Sequence, residues 1–178
     1  QIGLNGKTIV LDPGHGNYAA GTVDPGAVSK HNGLREIDFN TNVLMELKKM
    51  LEGQGATVLM TRQYTPKAIT LAERAQLAND NSADAFISLH GDSAGNTSAF
   101  GAGTWLYTGD VRLTSAAQKD MRNEYARAIN SGIAQATGRP AYIKYANFAV
   151  TRENEVPSVL VEAGFLSNAK DAQLLSTP

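Results

Sequence analysis

A chain of 178 residues is long enough to close one hydrophobic core, and 42% hydrophobic with 19% charged residues is the composition of a folded globule, not a disordered chain. Sixteen basic residues against seventeen acidic ones give a formal charge of −1, which removes the electrostatic case for nucleic acid or an anionic membrane as partner. There are no cysteines, so disulfides and thiolate metal sites are excluded and any metal must be held by His and carboxylate groups; no apolar run approaches the ~20 residues of a membrane span.

No repeat, low-complexity tract or composition break divides the chain, so residues 1–178 are read as one domain. Lys7–Asp12 is a short apolar run closed by Pro-Gly, the pattern of a buried strand followed by a turn. From Glu36 to Glu52, Ile37, Leu44, Leu47 and Leu51 recur at helical spacing, and Gly53 and Gly55 end the helix. Ala56–Arg62 is a second strand. Thr70 and Glu73 form a capping box that starts a helix lined by Leu71, Ala75 and Ala78. Ala83–His90 is a third strand and Thr104–Thr108 a fourth. Ser115 with Gln118 opens a long helix whose inner face is predicted as Ala117, Met121, Tyr125, Ala128 and Gly132. Phe148–Arg152 and Ser158–Glu162 complete six strands, and a short helix spans Ala169–Leu175. Strands alternating with helices predict an α/β fold: a largely parallel, twisted sheet of about six strands with helices on both faces.

In such folds ligands bind beyond the carboxyl ends of the strands. Two of the three histidines fall there: His15 just past the first strand in Asp12-Pro13-Gly14-His15-Gly16, and His90 at the end of the third. Glu162 ends the apolar run Val159-Leu160-Val161, where a carboxylate costs several kcal/mol unless something compensates it. A general base acting on water beside a metal explains its position, and pairing with a buried Arg is the bland alternative. Hydrolytic zinc sites commonly pair two His with one carboxylate, and Asp12, Asp24, Glu36 and Asp38 are all candidates for the carboxylate. Glu36 has the advantage of opening a helix; Asp12 better suits a role in the turn or behind a ligand. His31, between Lys30 and Asn32, reads as solvated, and Trp105 and Tyr107 read as core. Arg35, Arg112, Arg139 and Arg152 could meet carboxylates of a peptide substrate.

The DPGHG run, the Glu of GLREIDFN, the LAERAQLAN segment, the ISLH strand end and the closing VPSVLVEAGFLSN, in this order from about Lys7 to Leu174, resemble the zinc-dependent N-acetylmuramoyl-L-alanine amidases of the type-3 cell-wall class. That resemblance implies a single zinc ion held by His15, Glu36 and His90, with Glu162 as the catalytic glutamate. It also implies a peptidoglycan substrate cut between N-acetylmuramic acid and L-alanine, and a secreted monomer acting at the cell wall or in the periplasm. A phage lysin acting on a host wall is equally compatible, and the closing Leu175-Ser176-Thr177-Pro178 suits the start of a linker to a wall-binding domain. The chain departs from the family pattern at Gly91-Asp92-Ser93, where a small residue and then Asn is usual, and at Gly138-Arg139-Pro140-Ala141-Tyr142, in place of an Arg-Gly step. Some members carry a long helix over the zinc between the third and fourth strands. Asp92–Gly103 is too short for one, which predicts an open site. The alternatives are a zinc peptidase that trims the stem peptide and a non-catalytic wall-binding module. A glycosidase, which needs two cooperating carboxylates, fits poorly.

Overall fold

The computed structural model describes residues 3–19, 22–109, 113 and 115–177. In chain order these form β1 (Thr8–Pro13), the short β2 (Tyr18–Ala19) and β3 (Thr22–Val23), α1 (Glu36–Glu52), β4 (Thr57–Met60), α2 (Leu71–Asp80), β5 (Ala85–Asp92) and β6 (Ala102–Tyr107). The remainder comprises α3 (Ala116–Thr137), β7 (Ala141–Ala146), α4 (Ala149–Arg152), β8 (Ser158–Phe165) and α5 (Ala169–Leu175). Six strands pair into one sheet in the order β4-β1-β5-β8-β6-β7, and β2 and β3 form a separate antiparallel ribbon. All neighbours in the main sheet are parallel except β6 and β8, so the predicted α/β fold with a largely parallel sheet is the one observed.

The apolar strands are buried on both faces. Ile9, Leu11, Leu89, Val159 and Val161 pack with Phe39 and Leu44 of α1 and Ala126 of α3, and Val10, Phe86 and Leu160 pack on the opposite face with Ala78 of α2 and Val150 of α4. Near-continuous hydrophobic strands are what a two-sided cover requires. Thr70 accepts from the Glu73 backbone N–H while Glu73 accepts from that of Thr70, so the capping box forms as the sequence indicates. Ser115 caps α3 through the Gln118 N–H.

Three local expectations are corrected. Phe148–Arg152 is not a strand: Ala149–Arg152 is a single helical turn, and the sixth strand of the sheet is Ala141–Ala146. The sequence hid this strand because Tyr142, Lys144 and Tyr145 interrupt its apolar pattern; it lies at the sheet edge, where Tyr142 and Tyr145 stay exposed. On α3 the buried face is Arg122, Ala126 and Asn130, while Met121, Ala128 and Gly132 are exposed. Asn130 accepts from the buried Thr104 hydroxyl at 2.7 Å, a pairing that binary hydrophobicity does not reveal. On α2, Leu71 is exposed and Arg74 is buried beside Ala75 and Ala78. Arg112 and Pro178 lie outside the described residues.

Candidate metal centre

The carboxyl ends of three adjacent parallel strands, β1, β5 and β8, meet at one rim. β1 delivers the loop that carries His15, β5 carries His90, and β8 carries Glu162 in register with His90. Glu36 reaches the same rim as the first residue of α1, and its side chain is only 4% exposed. His15 Nε2 lies 3.0 Å and His90 Nδ1 2.9 Å from the same oxygen, Glu36 Oε1. One ligand-type atom from each of the three lies within 4.8 Å of the others. The rings of His15 and His90 meet edge to face, 4.9 Å between centroids.

The remaining carboxylate candidates do other work. Asp24 Oδ2 accepts from His15 Nδ1 at 2.8 Å, which leaves Nε2 facing Glu36. Asp12 is buried and accepts from Thr61, Ser88 and Arg74. Asp38 is exposed and pairs with Arg35 at 3.4 Å. His31 is an exposed loop residue bonded to the Ser167 carbonyl. Arg139 is bound to the Asp171 carboxylate and Arg152 to Glu153 and Asn147.

The electrostatics follow from this packing. Burial alone pushes the Glu36 carboxyl up, but hydrogen bonds from His15, His90 and the Ala27 N–H outweigh it and hold the group well below the ordinary carboxylate range. Burial likewise pulls the His15 imidazole down, and its bonds to Glu36 and Asp24 more than reverse this. Glu162 is the opposite case. Burial, then the nearby charges of Asp92 and Glu36, push it up to about 9, and its Oε2 is buried with no hydrogen-bond partner. The buried-Arg reading of Glu162 fails because no arginine among the described residues pairs with it, and its Oε2 is left without a hydrogen-bond partner. His15, Glu36 and His90 fit a divalent cation. Imidazole nitrogens and a carboxylate are zinc-type donors, their atoms already converge, and a positive charge among them would reverse the field that raises Glu162.

The backbone leaves room for the same side chains. A Cβ on Gly14 would stand 2.3 Å from the His90 ring, and one on Gly26 would stand 2.5 Å from Glu36 Oε2 and 2.6 Å from His15 Cδ2. Only glycine leaves room for these side chains at the two positions. His15 itself has φ 63, a left-handed conformation that costs a non-glycine residue on the order of 1–2 kcal/mol. Beside the cluster opens a cavity of about 400 Å³, lined among others by His15, His90, Glu162, Leu71 and Phe148. The segment 93–101 between β5 and β6 contains no helix.

Residues 9–178 match the family described as N-acetylmuramoyl-L-alanine amidase. The chain belongs to that amidase family. A probable cell wall amidase, LytH of Staphylococcus epidermidis, is 33% identical over 176 residues, covering 97% of this chain and 53% of the relative. YqiI of Bacillus subtilis is 34% identical over 179 residues, covering 98% of this chain and 77% of its own length. The chain therefore spans about half the length of the LytH relatives it matches. Among solved structures, the catalytic domain of CwlV, an N-acetylmuramoyl-L-alanine amidase from Bacillus (Paenibacillus) polymyxa, superposes with a TM-score of 0.79 at 31% identity, covering 96% of this chain and 87% of that one. An N-acetylmuramoyl-L-alanine amidase from Clostridium difficile 630 gives 0.81 at 30% identity, with coverages of 97% and 87%.

Two members of the site in this amidase-family chain escape a reading by residue type. Arg62 Nη2 donates to the Gly14 carbonyl at 2.6 Å and its Nε to the His15 carbonyl at 2.9 Å. Arg74 Nη2 donates to the same His15 carbonyl at 2.7 Å and Nη1 to that of Pro13 at 3.0 Å. Two guanidinium forks thus hold the 13–15 loop in its strained form, a positioning role suited to Arg geometry. Arg74 stands inside LAERAQLAN, where a charged residue in line with Ala75 and Ala78 was the available signal.

Proposed function

We propose that this chain hydrolyses the amide bond between N-acetylmuramic acid and the L-alanine of the peptidoglycan stem peptide, with one zinc ion held by His15, Glu36 and His90 and with Glu162 as the catalytic residue. The observation that carries this reading is the convergence of two imidazole nitrogens on one Glu36 oxygen, with an unpartnered Glu162 carboxylate on the adjoining strand. Membership of the amidase family supports the choice of bond.

Zinc bound there would supply a Lewis acid that polarises the scissile carbonyl and acidifies water. Glu162 takes the proton of the attacking water and gives it to the leaving nitrogen of L-alanine, so that the amine departs neutral. Its partly buried setting suits a carboxylate that must hold a proton between two steps. Asp24 fixes the His15 tautomer. The cavity beside the cluster supplies space for the sugar and stem on either side of the bond. Because no helix lies between β5 and β6, access needs no displacement of a plug from that segment.

The place of action is the cell wall, which makes the protein a secreted one; the family's wall-acting relatives support this. Among the described residues no helix is long and apolar enough to cross a membrane. The test is product analysis on purified wall. An amidase releases whole stems with a free L-alanine amino group and leaves peptide-free glycan. Shortened stems would establish the peptidase reading, and binding without products the wall-binding module. Chelator should stop the release and zinc restore it, with no activator protein required.

A further inference from the structure

The cavity beside the metal cluster has a reactive floor and an apolar wall. His15, His90 and Glu162 line it from the rim of the sheet, and Leu71 and Phe148 line it from two helices. α2 packs over β1 and β5, α4 over β8 and β6, and the two helices touch. Leu71 therefore stands at the His15 end of the cavity and Phe148 at the Glu162 end. The start of α2 is tied to the His15 loop: the Lys67 N–H donates to the Gly16 carbonyl at 3.1 Å, and Arg74 to the His15 carbonyl at 2.7 Å.

Leu71 serves neither hydrophobic core. It is 54% exposed and packs in neither buried cluster, although its spacing with Ala75 and Ala78 predicts burial. A lone exposed leucine is ordinary on a convex surface; this one lines a concave site beside reactive groups. Asn17, two residues past His15, lines the same cavity, and among the described residues its side-chain amide has no hydrogen-bond partner. Phe148, by contrast, is held in place: it packs on the core and its ring meets Trp105 edge to face at 5.6 Å.

The direction of the substrate follows from the chemistry. Glu162 protonates the leaving nitrogen, so the stem peptide lies at the Phe148 end. The acyl half, the lactyl ether with its sugar, lies at the other end, against Leu71 and Asn17. A 2-acetamido sugar offers both of them a partner: the C–H face of the ring for the leucine, and an amide that donates and accepts for the asparagine. A cavity of about 400 Å³ is within the ~300–1,000 Å³ range of small-molecule clefts, room for a ring as well as for the methyl groups of lactate and alanine.

We propose that Leu71 and Asn17 form the subsite for the N-acetylated sugar on the acyl side of the scissile bond. This rests on the amidase reading above. The two are thereby specificity-determining residues: they favour a stem carried by muramic acid over one carried by lactate alone.

The test uses the whole zinc-loaded chain and two substrates with the same stem peptide, one acylated by N-acetylmuramic acid and one by D-lactic acid. The wild type should show a kcat/KM roughly 10- to 100-fold higher for the muramoyl compound, the scale of one buried apolar side chain. Leu71→Ala and Asn17→Ala should each shrink that ratio, the double variant should bring it close to one, and Leu71→Met should keep it. A wild type indifferent to the sugar overturns the proposal. So does Leu71→Ala slowing both compounds alike, since that is the mark of a disturbed His15 loop. A third substrate, with glycine in place of L-alanine, tests the other occupant. If Leu71→Ala alters the choice of alanine over glycine and leaves the sugar preference intact, the stem lies there and the proposal falls. Calorimetric binding of the muramoyl and lactoyl compounds to zinc-loaded Glu162→Gln, alone and with Leu71→Ala, reads the sugar preference without turnover. If the wild type cuts neither compound while this binding preference persists, the amidase reading fails and the subsite stands. If it cuts both equally well, the amidase reading stands and the subsite falls.

Discussion

His90 and Glu162 stand opposite one another on neighbouring parallel strands, in register, at the carboxyl ends of β5 and β8. The separation of a candidate ligand from the candidate base is therefore set by backbone pairing at the centre of the sheet, where Leu89 and Val161 are buried beside them. No loop need order before the two are placed, which is the kind of support that holds a catalytic constellation in geometry.

Glu162→Gln is the sharpest test of that pair. The amide has the same shape and cannot act as a base, so the variant should fold and keep its zinc while hydrolysis falls about 10²–10⁴-fold. Zinc content by atomic absorption and stem release by mass spectrometry check the two halves separately. Turnover within a few-fold of wild type removes Glu162 from the reaction.

Asp24 is expected to act on the metal through His15. It accepts the Nδ1 proton and so leaves Nε2 to face Glu36. Asp24→Ala should weaken zinc binding about 10–100-fold, the usual scale for loss of such a support. Competition against a chelator of known affinity measures this, and His15→Ala should lose far more. An unchanged zinc affinity in Asp24→Ala would show that the bond is incidental.

Much of this arrangement was legible in the sequence, for a physical reason. His15 follows and His90 ends a short apolar run that reads as a buried strand, and parallel strands bring their carboxyl ends to one side. Glu162 was conspicuous because a carboxylate is expensive at the end of Val159-Leu160-Val161. The choice among Asp12, Asp24, Glu36 and Asp38 was not legible from residue type, because it depends on where α1 enters the sheet edge. Nor were the clamps. Arg62 and Arg74 bind backbone carbonyls, which leave no mark in a pattern of side chains. The edge strand β7 was missed for a similar reason, since exposure on both faces at the sheet edge, at Tyr142 and Tyr145, breaks the apolar run that announces the central strands.

Gly14 offers a test of close approach. A Cβ at this position would overlap the His90 ring at 2.3 Å, and the neighbours that could yield are the imidazole and the 13–15 loop itself. Gly14→Ala should leave a folded protein with His90 displaced, visible as a loss of zinc affinity larger than any loss of thermal stability. The opposite ranking, a large drop in melting temperature with normal zinc binding, would mean that the glycine serves the turn and not the ligand.

An ion pair lies beneath the site. Asp12 and Arg74 are both buried, 2.6 Å apart, and Thr61 and Ser88 complete the carboxylate's hydrogen bonds. Burial pushes Asp12 up, but Arg74 and the two hydroxyls overcome it and hold the group below its ordinary 3.8. A depressed folded-state pKa means that ionised Asp12 stabilises the fold fully above the unfolded value, and that this contribution is lost as pH falls through the lower folded one. Acid melts of the wild type should therefore steepen below about pH 4, and Asp12→Asn, less stable at neutral pH, should converge on the wild type there. Other depressed carboxyls, Asp24 and Asp84 among them, also contribute to the wild-type slope, so the difference between the two proteins isolates Asp12. Arg74→Met should cost about 3–5 kcal/mol at neutral pH, because it leaves a buried charge without its cation and frees the His15 carbonyl. A constant gap between Asp12→Asn and wild type at every pH would mean that the pair is held by packing and hydrogen bonds with no net charge stabilisation.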